Sequence, residues 1–452
     1  MNFQDFINEC DKDDEINLTD FIVLSDKEIL AEYCRPPYRR NSLKLLFSMT
    51  KSFSSLAIGI ACDKGLLTLD DYIIDYFQDE LPEEPHENLH KIKVRHLLSM
   101  TGGIHENTYA DLYPADNWIR AFLAQEFPHE PGKYYRYSTH GSHMLSAIIQ
   151  RASGISLEAF LNRYLFYPMD IYEAQWEQSP EGITAGGMGL SLYPSSLVKT
   201  AQMLLNGGVY KNIRLLSQEY INMAASCQSI KQEDINNLEK VYSGYQYGFQ
   251  FHLSSNGCYR ADGAFGQLCF LYPLKKIALI ALSQTSKTEK LLKLIDKHFI
   301  HSPIETPIGS YNKPASGIPA SFESTPVPGR KYRLDSNPLA INFIEFYSDN
   351  DNNIMRFVKT DNREDIHKFG FNRLKKGKAY FVKDLKEHYQ EYVCETVQWN
   401  DNTLELLVYY IETPYVVHYK VIFGKETLQF VFNINVSMTL NNFSVNGIMC
   451  SK

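Results

Sequence analysis

The sequence predicts an α+β domain followed by a small all-β domain, a barrel or a sandwich. Strand-like runs stand at both ends of the first 300 residues, with helical patterning between them. A proline-rich stretch then interrupts the chain, and beyond it large apolar residues alternate with polar ones. At 452 residues the chain is long for a single core, and two folding units match the usual domain size.

In chain order, residues 21–24 and 29–33, joined across Ser25, Asp26 and Lys27, read as a hairpin. Residues 247–253, 267–272 and 277–283 read as three more strands, the last two joined at Leu274, Lys275 and Lys276. Five antiparallel strands around a helical middle make the first domain, residues 1–300. Residues 301–325 read as a linker, because six of the chain's 19 prolines fall between 301 and 330, and proline fixes φ and removes a backbone donor. In residues 326–452 the runs Leu404, Leu406, Val408, Tyr410, then Val417, Tyr419, Val421, Phe423, then Leu428, Phe430, Phe432, Ile434, Val436 have the period of half-buried antiparallel strands.

Composition excludes some functions. Hydrophobic residues at 44% and charged residues at 22% supply a core and exclude wholesale disorder. A net charge of -8 gives no basic surface for a nucleic-acid backbone, so nucleic acid is not an expected partner. The acidic start MNFQDFINECDKDDEINLTD lacks the pattern of a secretory signal, and runs such as IALIAL fall far short of the ~20 residues that span a bilayer. No membrane span and a cytoplasmic location are expected, and the eight scattered cysteines, without a CxxC pair, suit reduced thiols.

Chemistry first appears in SMTKSFSSLAIGIACDKG. Met49, Phe53, Leu56 and Ile60 recur at spacings of four, three and four, the apolar stripe of a buried helix that closes at Lys64 and Gly65. Ser48 sits at its start, and Lys51, three residues on, lies over the same face. A serine hydroxyl needs a base to accept its proton as it attacks a carbonyl. A buried lysine can serve, since full desolvation lowers its pKa by on the order of 3–5 units. A capping serine beside an exposed lysine would give the same four residues.

Four ordered segments decide between these readings. FSMTKSFSSLAIGIACDKGLLTLDD, KVRHLLSMTGGI, PGKYYRYSTHGSHMLSAIIQRASGISLEAFLNRYLFYPMDI and AGGMGLSLYPSSLVKTAQMLLNGG resemble the serine β-lactamase-like, penicillin-binding-protein-like superfamily. That superfamily includes class C β-lactamases, DD-peptidases, related esterases and 6-aminohexanoate-dimer hydrolases, and the resemblance runs from about residue 20 to about residue 300. It implies a β-lactamase/transpeptidase-like fold, with Ser48 as nucleophile and Lys51 as base. The family's Tyr-x-Asn motif falls on Tyr137, Ser138 and Thr139, which implies that Tyr137 relays a proton to the leaving group. Such a phenol would need its pKa of about 10 lowered by the neighbouring cation.

Two departures narrow the substrate. Thr139 replaces an amide that often binds the acylamino group of β-lactams. The third motif, a basic residue, a hydroxyl residue and glycine, falls on Ala261, Asp262 and Gly263, so its cation is missing unless Arg260 substitutes. The resemblance implies an oxyanion hole from the backbone N–H groups of Ser48 and Ala264, and a substrate site with Thr139, Arg260, Asp262 and Gly263; His140, three residues after Tyr137, is a further candidate to line that cleft. Gly266 and Gln267 look like the aminohexanoate-hydrolase version of this strand. Hydrolysis of an ester or amide, in a small-molecule or peptide-like acyl substrate, is expected. β-Lactamase or DD-peptidase activity, or a non-catalytic sensor, is the alternative.

Two histidine pairs, His86 with His90 and His140 with His143, lack the HExxH context or the cysteines of a zinc site, so no metal and no cofactor are expected. Neither a GxSxG elbow nor a P-loop is present.

Overall fold

A computed structural model describes residues 3–232, 244–254, 257–300, 329–349, 352–370, 374–400 and 402–450. The chain divides into two compact units, residues 1–34 with 45–311, and residues 35–44 with 312–452. The expected proline-rich linker, residues 301–325, lies wholly outside the described residues.

In the first unit the expected hairpin forms from Leu18–Ser25 and Ile29–Cys34. Leu18–Ser25 also pairs antiparallel with Ile277–Ser283, followed in the sheet by Gln267–Tyr272 and Tyr259–Gly263. Successive residues of a strand face opposite ways, and both faces are apolar here. Phe21 and Val23 join a cluster with Phe6 of the helix Phe3–Lys12, Leu292 of the helix Thr288–Ile295 and Phe299 of the turn Asp296–Ile300 that follows it. Ile22 and Leu24 join the larger core of the helical region. The helix Phe3–Lys12 was not anticipated, although Phe3, Phe6, Ile7 and Cys10 carry its buried stripe.

Among the described residues eight strands, rather than the five expected, make this sheet. The single strand expected over residues 247–253 is two short ones, Gln246–Tyr247 and His252–Leu253, paired with each other across a turn, and Ser229–Ile230 adds an edge. Phe249 and Phe251 both point into the core, and Gln250 between them takes φ +63. The apolar alternation was real but belonged to a turn.

On the helical side, a 3-10 turn at Phe47–Met49 leads into the helix Thr50–Asp63, which ends where expected, at Lys64 and a left-handed Gly65. The helix Thr139–Ser153 packs beside it and is capped at its N-terminus by Ser138, whose Oγ accepts from the Gly141 N–H at 2.9 Å. Among the described residues no helix is long and apolar enough to cross a membrane, and none of the eight cysteines is joined in a disulfide.

The second unit is a nearly closed antiparallel barrel of ten strands running from Arg330–Leu334 to Phe443–Met449, which pair with each other. Of the two outcomes left open by the sequence, the barrel is the one that forms. Inner positions alternate as expected in Thr403–Tyr410, Val416–Phe423 and Thr427–Ile434. The open seam lies between Glu364–Phe369 and Lys375–Val382. It is bridged by side chains, with the Tyr380 N–H donating to Asp365 Oδ1 at 2.9 Å and the Lys368 N–H to the Tyr392 hydroxyl at 2.7 Å. Residues 35–44 belong to this unit, where Arg39 pairs with Glu391 and Lys44 donates to the Ile411 carbonyl.

Candidate active site

The turn before the long helix presents Ser48. Phe47 enters it at φ +47, a left-handed conformation that costs a bulky residue on the order of 1–3 kcal/mol. Its buried ring meets Phe265 edge-on at 5.3 Å, so packing holds the strained residue in place. The Ser48 N–H falls in a first helical turn, where donors have no intrahelical acceptor and remain available to an anion.

Lys51, only 2% exposed, places Nζ 3.0 Å from Ser48 Oγ and donates to the Gly187 carbonyl at 2.7 Å. The same Nζ lies 4.8 Å from the centroid of the Tyr137 ring. The Tyr137 hydroxyl hydrogen-bonds Ser48, so amine and phenol converge on one oxygen. Burial pushes the phenol above its ordinary pKa, the Ser48 bond opposes this, and the Asp262 charge adds to it. This reverses the lowered value expected from sequence, because desolvation penalises the phenolate most. Tyr137 therefore holds its proton at neutral pH.

Gly187 carries no role that the sequence motifs assign. A Cβ there would stand 2.6 Å from the Thr139 carbonyl oxygen, so only glycine lets this backbone run close enough to offer Lys51 its acceptor. The Thr139 methyl lies against the same glycine. Gln250 was also missed. Its Nε2 donates to the Leu97 and Leu98 carbonyls, its Oε1 accepts from Ser142, and its carbonyl accepts from Ser52. One buried glutamine, through its side-chain amide and its own backbone carbonyl, thereby ties the segments carrying Leu97, Ser142 and Ser52 together. A lone glutamine in the aromatic run YGFQFHL was the available signal.

The third-motif strand reaches the site through its glycine. A Cβ on Gly263 would stand 2.1 Å from the Leu46 carbonyl oxygen, which places this backbone against the peptide that closes the Ser48 turn. Ala264 follows in a turn with Phe265 at φ +62 and Gly266 at φ +79. Gln267 fixes that turn, its Nε2 donating to the carbonyls of Ala264, Phe265 and Ser283.

Arg260 is placed differently from the expected substrate cation. It is fully buried, with Nε 2.9 Å from Asp262 Oδ1 and Nη1 2.7 Å from Ser254 Oγ, so its charge is neutralised inside the sheet. Ala261 is buried as well. Asp262 is half-buried and also lies 3.9 Å from His252 Nε2.

His140 is 2% exposed and packs edge-on against Trp118 at 4.9 Å, with Tyr109 at 5.8 Å. Burial first, then the charges of His143 and Lys51, hold its pKa down to about 3, so it stays neutral. His143 lies 3.4 Å from Glu181, which also accepts from the Trp118 and Ile119 N–H groups. Among the described residues no group of three or more His, Cys, Asp or Glu side chains is arranged to hold a metal ion.

The model of the Beta-lactamase family matches residues 21–298. A 6-aminohexanoate-dimer hydrolase from Paenarthrobacter ureafaciens is 23% identical over 286 residues, covering 58% of this chain and 71% of its own. Penicillin-binding protein 4* from Bacillus subtilis (strain 168) is 30% identical over 154 residues, 31% of this chain and 32% of its own. The octameric penicillin-binding protein homologue from Pyrococcus abyssi superposes with a TM-score of 0.51 at 14% identity, covering 98% of both chains.

Proposed function

We propose that this chain, which belongs to the beta-lactamase family and is a serine hydrolase of that fold, cleaves an ester or amide through a covalent acyl-enzyme on Ser48. The supporting observation is the convergence of Lys51 Nζ, at 3.0 Å, and the Tyr137 hydroxyl on Ser48 Oγ. As Oγ attacks the carbonyl carbon, its proton passes to the neutral Lys51 amine. Negative charge develops on the carbonyl oxygen and meets the N–H groups of Ser48 and Ala264. When the tetrahedral intermediate collapses, the protonated Tyr137 gives its proton to the departing oxygen or nitrogen and takes one back from the Lys51 ammonium. Water then attacks the acyl-enzyme by the reverse relay.

Two features favour an ester or amide over a β-lactam or a DD-peptide. The family's basic residue is replaced by the buried Ala261, and Arg260 is committed to Asp262 and Ser254. The name of the Paenarthrobacter relative points the same way. A substrate pocket would be framed by Thr139, His140, Asp262 and Gly263.

A fluorophosphonate probe together with p-nitrophenyl acetate turnover tests this reading. Labelling and turnover in the native chain, both lost in Ser48→Ala, are expected. Labelling that persists in Ser48→Ala, or none at all, overturns it. Nitrocefin hydrolysis as fast as ester hydrolysis would move the substrate class to β-lactams.

A further inference from the structure

The barrel unit holds a partly open cavity of about 270 Å³. Small barrels either fill their interior with side chains or hold one small ligand. Part of the wall is aromatic, with Phe357, Phe381, Tyr410 and Tyr419 lining the space, all at most 4% exposed, and charged side chains line the rest together with aliphatic ones. Strand alternation adds His367, turned inward on Glu364–Phe369 and 1% exposed. Its Nε2 lies 3.1 Å from the Tyr410 hydroxyl, while its Nδ1 is buried and meets no hydrogen-bonding group among the described residues.

An imidazole nitrogen left so costs about 1–3 kcal/mol, which a core built only for stability would avoid with an apolar residue of the same shape. Burial holds His367 neutral, with a pKa of about 3, so it does not demand an anion. The charged lining groups also favour no ion, since the cations Lys359, Arg363 and the exposed Lys386 are matched by the acids Asp361, Asp365 and Glu387. Lys359 and Arg363 both close on Glu387, and Arg363 pairs with Asp361 as well. Asp365, the other inward acid, already accepts from the Tyr380 N–H across the seam.

We propose that the barrel interior binds one uncharged, flat apolar molecule bearing a hydroxyl group, with the hydroxyl on His367 Nδ1 and the apolar body between Phe357, Phe381 and Tyr419. A hydroxyl both donates and accepts, so it satisfies either tautomer of the ring. Aromatic walls suit a flat body, since offset and edge-on ring contacts stabilise it beyond the area it buries. The site lies within the second unit and does not depend on chemistry at Ser48.

2-Naphthol titrated into the full chain by calorimetry, beside naphthalene and 2-naphthalenesulfonate, tests this. One site per chain is expected, with naphthalene about tenfold weaker, the equivalent of one hydrogen bond, and the sulfonate weaker still. His367→Phe should abolish the preference for naphthol over naphthalene. A photoreactive naphthol analogue should label peptides between residues 341 and 419, a readout that needs no variant. Equal binding of naphthalene, a preference for the sulfonate, or crosslinks confined to peptides around Ser48 and Tyr137 would each overturn the proposal.

Discussion

Replacing Gly263 with alanine tests whether the third-motif strand holds the Ser48 turn in a reactive geometry. The new Cβ would stand 2.1 Å from the Leu46 carbonyl oxygen against 3.4 Å for an ordinary contact, so the two backbones must part by roughly 1.3 Å. The Leu46 peptide has little room to give. Its carbonyl accepts from the Met49 N–H at 3.1 Å, closing the turn, and its N–H donates to the Leu190 carbonyl at 2.9 Å. The strain therefore falls on the spacing between the Ser48 and Ala264 N–H groups. Overpacking of this kind costs about 1–3 kcal/mol of stability. Displacing one oxyanion donor costs about 2.7–4 kcal/mol of transition-state stabilisation, on the order of 10²–10³ in kcat. Steady-state kinetics on p-nitrophenyl acetate beside a thermal melt should show kcat down about a hundredfold with KM little changed, in a chain that melts several degrees lower but still cooperatively. A folded Gly263→Ala chain with native kcat would refute the assignment of Ala264 to the oxyanion site.

Tyr137→Phe keeps the ring that faces Lys51 but removes the hydroxyl on Ser48, so kcat for an ester should fall about 10²–10⁴-fold while the melting temperature stays close to native. A smaller kinetic loss would place the proton relay on Lys51 alone. For acid stability, His140 has a folded pKa of about 3, below the ordinary 6.5, so the unfolded chain binds more protons between those values. Stability is full above about pH 6.5 and declines as pH falls toward 3, by up to about 1.4 kcal/mol per pH unit from this residue. His96, held down to about 4 by burial, acts in the same direction. Urea melts of His140→Phe at pH 7 and pH 5 should show a shallower loss than the native chain, and an unchanged slope would remove His140 from the account.

What was legible in the sequence was what short-range geometry determines. Ser48 and Lys51 lie one helical turn apart, so their meeting follows from spacing, and the period-2 runs from Leu404 to Ile434 turn inward because a strand alternates. What was not legible depends on partners distant in sequence. Lys51 finds its acceptor at Gly187, 136 positions on, and Ser142 meets Gln250 across 108. The same limit explains Arg260 and Tyr137. Alternation places Arg260 on the same face as Asp262, two residues on, and the pairing that removes its charge from the substrate was available from that register alone. The direction of the Tyr137 shift was not, because it depends on how much protein surrounds the phenol, a sum over segments that no motif contains. Lys51 Nζ stands beside the ring as the motif implied, yet desolvation sets the direction of the shift. That ordering keeps the proton on Tyr137 at rest and leaves Lys51 to receive the one from Ser48.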